Sequence, residues 1–172
     1  MTIREILEFP DPRLQQLSDA VDTFDASVAE CAQDLLETLG EAGGIGLSAP
    51  QIGDLRRIVV LDLSEDRSAP EIYVNPEVIA RRAFGFIEES CLSLPGVTGT
   101  VMRSAQVCVR AFSVDGEPFE RELENLHACA IQHEIDHLDG KLFVDRFSLF
   151  GRWRFNRGAG ARLRSEASAS DD

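Results

Sequence analysis

The chain has 172 residues, of which 44% are hydrophobic and 27% charged, the balance of one soluble globular domain with a sizeable core. A formal net charge of −13 argues against a body that grips DNA or RNA unaided. No apolar run approaches the ~18 residues of a membrane span. Four irregularly spaced cysteines and an N-terminus without a signal-peptide core imply reduced thiols and a cytoplasmic location.

In chain order, Ile3 to Pro12 starts apolar and ends in a Pro-Asp-Pro turn. Asp25 is placed to cap a helix with the stripe Val28, Cys31, Leu35, Leu36 and Leu39, ended by Gly40. Gly43, Gly44 and Gly46 then open a loop where backbone can approach a ligand closely. Arg57 to Leu63 is a strand; another runs from Glu71 to Asn75 and stops at Pro76, with a short third at Val78 to Ala80. Phe84 to Glu89 leads into a cysteine segment. Gln106 to Val114 and Glu117 to Leu123 flank the hairpin signal Asp115-Gly116. A helix starts near Glu124 or Asn125 and ends at Gly140, and Lys141 to Phe147 is extended. The order predicts an α+β fold, antiparallel or mixed sheets around one central helix.

Residues 1–150 read as a single domain. Residues 151–164 form a basic segment whose charged residues are all arginines (Arg152, Arg154, Arg157, Arg162 and Arg164), and 165–172 read as a disordered acidic, serine-rich tail.

The most informative stretch is Gln132-His133-Glu134-Ile135-Asp136-His137. Histidines four residues apart project from one helix face and suit two ligands of a single metal. Glu134 sits where a carboxylate can take the proton of a metal-bound water. The bland alternative is a helix with two satisfied surface histidines. A catalytic metal usually takes a third protein ligand. The metzincin position for it holds Phe143, and the only later glutamate is Glu166, in the tail. That directs the search upstream, to the cysteines. Cys31, Cys108 and Cys129 read as small core or pocket residues. Cys91 differs, lying in an acidic segment that ends in a turn, and a thiolate with two imidazoles suits Zn2+ or Fe2+.

Three motifs then stand in order: Gly44-Ile45-Gly46-Leu47-Ser48-Ala49-Pro50-Gln51, Glu89-Ser90-Cys91-Leu92-Ser93, and Gln132 to Gly140. Together they resemble the peptide deformylase family, from about Ile3 to about Phe147. Ser48 stands where the family usually has alanine, and Ser90 where it usually has glycine. The resemblance implies a metal-dependent hydrolase that removes the N-formyl group from formyl-methionyl nascent polypeptides and releases formate. It implies Cys91, His133 and His137 as ligands of one divalent ion, Fe2+ with Zn2+ or Ni2+ as alternatives. It implies Glu134 as proton acceptor, and the Gln51 amide and Leu92 N–H as oxyanion donors.

Leu126, Cys129 and Ala130 share the face of His133. With Ile45 and Ile87 they form a candidate pocket for a methionine side chain, the alternative being plain core packing. Gly44-Ile45-Gly46 is placed to bind substrate backbone as an added strand. Gln132 reads either as a site residue or as helix surface, and Glu89 with Arg103 either as a buried pair or as two solvated charges. The arginine segment suggests a ribosome contact. A second reading makes the chain a weakly active relative that docks on the ribosome; the intact Glu134 and Gln51 argue against it.

Overall fold

The computed structural model describes residues 2–170. Five strands form one antiparallel sheet in the order β1 (Gly46–Ser48), β2 (Ile58–Leu61), β3 (Glu71–Ser90), β4 (Thr98–Phe112) and β5 (Pro118–Glu124). Helices α1 (Ala26–Ala42) and α2 (Asn125–Leu138) pack against it, and α3 (Leu149–Arg157) and α4 (Ala159–Ser170) follow. The fold is α+β, as the sequence predicts.

β2 shows why the sheet has helices on both faces. All four of its residues are buried, and they alternate between two cores. Val59 and Leu61 join Ile131, Ile135 and Leu138 of α2, whereas Ile58 and Val60 join Val28, Leu35 and Leu39 of α1. Period-two alternation sends successive side chains to opposite faces, so a continuous apolar strand requires two covers. A third apolar cluster gathers Leu94, Val97, Val101 and Phe143 with Phe155 and Leu163 from the C-terminal helices.

Asp25 caps α1, accepting from Ser27 N at 2.9 Å. The helix runs past Gly40 and closes at Gly43, which adopts the left-handed conformation, so the expected end lies too early. Pro76 does not stop β3. An extra β3 residue between Val74 and Glu77 makes a bulge, and a bulge is where a strand tolerates a residue without an N–H. Asn75 fixes the bulge by pairing both side-chain amide atoms with the Val21 backbone, at 2.8 and 2.9 Å. The separate strands expected on either side of Pro76 are therefore one, reaching Ser90. β4 starts at Thr98, eight residues before the expected Gln106, because its early part turns Val101 and the charged Arg103 inward. Lys141 to Phe147 is not extended; Phe143–Arg146 form a single helical turn. The segment read as a disordered tail continues α4 to Ser170, while residues 171–172 lie outside the described part.

Candidate metal centre

Cys91 enters the turn that follows β3, where Leu94 N donates to Cys91 O at 3.0 Å. His133 and His137 lie one turn apart on α2, with ring centroids 5.0 Å apart. Cys91 Sγ is 3.2 Å from His137 Nε2. One donor atom from each of Cys91, His133 and His137 falls within 4.8 Å of the others, a group able to hold one metal ion. Burial and the charges of His133 and Arg103 hold the His137 pKa well below its ordinary value, so the ring is neutral, as a ligand must be. Burial acts in the same direction on His133, but hydrogen bonds to Cys91 and Glu89 raise its pKa well above the ordinary value. A proton and a cation therefore compete for this ring.

Beside these donors lies a cleft of about 600 Å³. Gly44, Ile45, Gly46, Gln51, Ile87, Leu92, Leu126, Cys129, Ala130 and Glu134 all line it, together with Cys91 and His133. His137 stands behind them at 1% exposure. Glu134 is buried, its Oε2 has no hydrogen-bond partner, and burial raises its pKa. Gly46 permits this arrangement: a Cβ there would sit 2.7 Å from Glu134 Oε1 and 2.8 Å from Leu61 Cδ2. Among the described residues β1 pairs only with β2, leaving its other edge without a strand.

Gln51 is held by its carbonyl end, where Oε1 accepts from Ser48 N at 3.0 Å and Ser48 Oγ at 2.9 Å. Its Nε2 is thereby turned toward Ser93 Oγ at 3.1 Å and Cys91 Sγ at 3.8 Å. The hydroxyl of Ser48 thus helps fix which end of the amide faces the cleft. Ser90 lines the cleft at the exposed end of β3, pairs with Thr98, and has no left-handed backbone.

Behind these donors runs a buried charge network. Glu89 accepts from both Arg103 Nε (2.6 Å) and Nη2 (2.9 Å), and Arg103 Nη1 reaches Asp136 Oδ2 at 2.5 Å. Arg146 donates to both oxygens of Asp136 from the surface. Glu89 and Arg103 are therefore a buried pair and not solvated charges. Gln132 is buried too, and ties α2 to β4 by accepting from Ser104 N at 3.2 Å and donating to Ser104 O at 2.8 Å. Phe143 stacks against His133, centroids 6.1 Å apart and planes at 27°. Sequence reasoning missed Ser93, Asp136 and Arg146. Asp136 offered a signal, being a further carboxylate one turn before Gly140 on the helix expected to be central and buried.

The family model described as polypeptide deformylase matches residues 3–153. A peptide deformylase of Nitrosococcus oceani is 42% identical over 167 residues, covering 97% of this chain and all of the relative. One from Pseudomonas aeruginosa is 45% identical over 168 residues, with the same coverage. The crystal structure of a peptide deformylase from Legionella pneumophila superposes with a TM-score of 0.88 at 42% identity, covering 96% of this chain and 98% of that one. The convergence of Cys91, His133 and His137 beside a buried Glu134, in a chain matched along nearly its whole length, leads to one conclusion: this chain belongs to the polypeptide deformylase family.

Proposed function

We infer that the family's reaction, hydrolysis of the N-formyl group of formyl-methionyl nascent polypeptides with release of formate, takes place in the cleft beside Cys91, His133 and His137. The observation that carries this reading is the meeting of a three-donor group with the unpartnered carboxylate oxygen of Glu134. The donor set fits a divalent cation. One sulfur and two imidazole nitrogens suit a late first-row ion, and we assign Fe2+, with Zn2+ or Ni2+ as alternatives. When bound, such an ion acts as a Lewis acid and brings the pKa of a coordinated water toward neutrality.

The protein's own residues do the rest. Glu134, whose raised pKa suits a base working near neutral pH, accepts the proton of the attacking water and passes it to the leaving amine. Gln51 Nε2, aimed by Ser48, donates to the oxygen that gains charge, assisted by the Leu92 N–H. The open edge around Gly44, Ile45 and Gly46 takes the peptide as an added strand. Ile45, Ile87, Leu126, Cys129 and Ala130 surround the methionine side chain. The arginines of 151–164 are proposed to contact ribosomal RNA in the cytoplasm, since they concentrate positive charge on an acidic chain.

Glu134→Gln tests the assignment. The variant keeps stoichiometric metal and loses formate release by about 10²-fold or more. Turnover near the wild-type rate would mean that another group is the base.

A further inference from the structure

The catalytic cleft is bordered at one end of its lining by Val97 and Thr98. A second cavity, of about 540 Å³, shares Val97 and Thr98 with it and runs between the start of β4 and α3. Its lining is mostly apolar, with Thr100, Phe147 and Phe155 as walls and Arg154 as the one cationic side chain. We propose that this cavity is a distal subsite of the deformylase cleft, receiving an apolar side chain of the nascent peptide about three to five residues after the formyl-methionine. The assignment rests on the deformylase reading of the first cleft.

Three features support it. The first is continuity. A peptide extended along the cleft gains ~3.3 Å per residue, and one that leaves past Val97 and Thr98, the shared border, meets the second cavity within a few residues. The second is that the walls are built and not incidental. The Phe147 ring lies against the β4 backbone, and a Cβ at Gly99 would sit 2.2 Å from Phe147 Cζ. Only glycine allows that approach. Phe147 packs edge-on to Phe143 at 5.6 Å, and Phe155 packs against Phe9 at 5.8 Å. Both aromatic walls are thus fixed by neighbours before any ligand arrives, which lowers the ordering cost of binding.

The third feature is chemical. Among the described residues Arg154 pairs with no carboxylate, and its side chain is exposed at the cavity. There it can donate to a peptide carbonyl while repelling a lysine or arginine side chain. The ligand class is therefore a peptide with a leucine- or phenylalanine-like residue at the subsite. A cationic residue at that point is disfavoured.

The test compares formate release from a formyl-Met tripeptide with that from formyl-Met hexapeptides carrying Leu or Lys at positions four, five and six. At one of these positions, wild-type protein should favour Leu over Lys by about tenfold in kcat/KM, chiefly through KM. Thr100→Trp places a large ring in the cavity from an exposed strand position. It should abolish the Leu preference and leave the tripeptide, which does not reach the cavity, at its wild-type rate. Arg154→Ala, on an exposed helix face, should specifically restore the Lys peptides toward the Leu ones. Equal kcat/KM for Leu and Lys peptides at all three positions in the wild type would overturn the subsite, as would a Leu preference that survives Thr100→Trp. Failure to release formate even from the tripeptide would instead count against the reading of the first cleft.

Discussion

Glu89 Oε2 lies 2.8 Å from His133 Nδ1 while Arg103 grips both oxygens of the same carboxylate. The contact fixes the imidazole so that Nε2 is its remaining donor. Carboxylates on the far nitrogen orient metal-binding histidines and raise their basicity. Here the carboxylate is itself positioned by a guanidinium at 3% exposure, and that guanidinium is shared with Asp136.

Glu89→Gln should therefore weaken metal affinity by about 10- to 100-fold without removing a ligand. Arg103→Leu should act more strongly on the fold, costing roughly 3–5 kcal/mol, because it leaves Glu89 and Asp136 buried without their shared partner. Metal titration of the first variant and denaturant unfolding of the second separate the two roles. A Glu89→Gln protein with unchanged affinity would sink the orienting role.

The same pair sets an acid limit. Burial alone would raise the Glu89 pKa, but hydrogen bonds from Arg103 and His133 bring it down from 4.5 to about 2. A folded-state pKa below the unfolded one stabilises the fold above the unfolded value, and that contribution disappears as pH falls through the folded value. Stability should thus decline between about pH 4.5 and 2. In Glu89→Gln the decline over that window should be shallower. Parallel curves of unfolding free energy against pH for the two proteins would refute the assignment.

The cysteines should differ in reactivity. Cys31 is buried and its thiol is pushed up to about 12, chiefly by burial, so alkylation near pH 8 should leave it untouched in the folded protein. Cys91 is half-exposed in the cleft and should react once the metal is removed by chelation, then become protected on reloading. Mass mapping of the modified peptides reads both. Equal labelling of Cys91 with and without metal would remove it from the ligand set.

Ser90→Gly separates two roles for this departure from the family pattern. The serine has no left-handed backbone, so relief of backbone strain is not available as a gain. Its position on the cleft lining leaves steric clearance as the remaining effect. The glycine variant should raise kcat/KM by up to about tenfold, the equivalent of ~1.4 kcal/mol, at a melting temperature no higher than that of the wild type. A higher melting temperature with unchanged kinetics would contradict this.

Much of this was legible in the chain because it rests on local spacing. The histidine pair, the glycine loop and the Asp115-Gly116 hairpin each depend on residues close in sequence. What was hidden depends on distant partners. The sequence left Arg103 open between a buried partner of Glu89 and a solvated charge, and its second partner, Asp136 of α2, was not visible at all. The inward direction of Arg103 concealed the first half of β4. Pro76 misled for a related reason: the bulge that tolerates it is held by Asn75 bonding to Val21, 54 residues away. Phe143 stood in the position of an absent ligand, and only the structure shows it stacked against His133, one of the three candidate donors.

The donors are drawn from separate regions of the chain: Cys91 lies 46 residues before His137. They also sit where the apolar clusters meet. Cys91 packs with Leu94 and Val101, its neighbour Leu92 packs with Leu39 and Leu47, and α2 brings Ala130 and Ile135 from the cluster against β2. A cation clasped there would join all three clusters at one point, as a reversible cross-link whose strength follows mass action. Each tenfold rise of free metal above its dissociation constant adds ~1.4 kcal/mol to folding. Metal supply would then govern how cooperatively the three clusters unfold as well as whether the enzyme turns over.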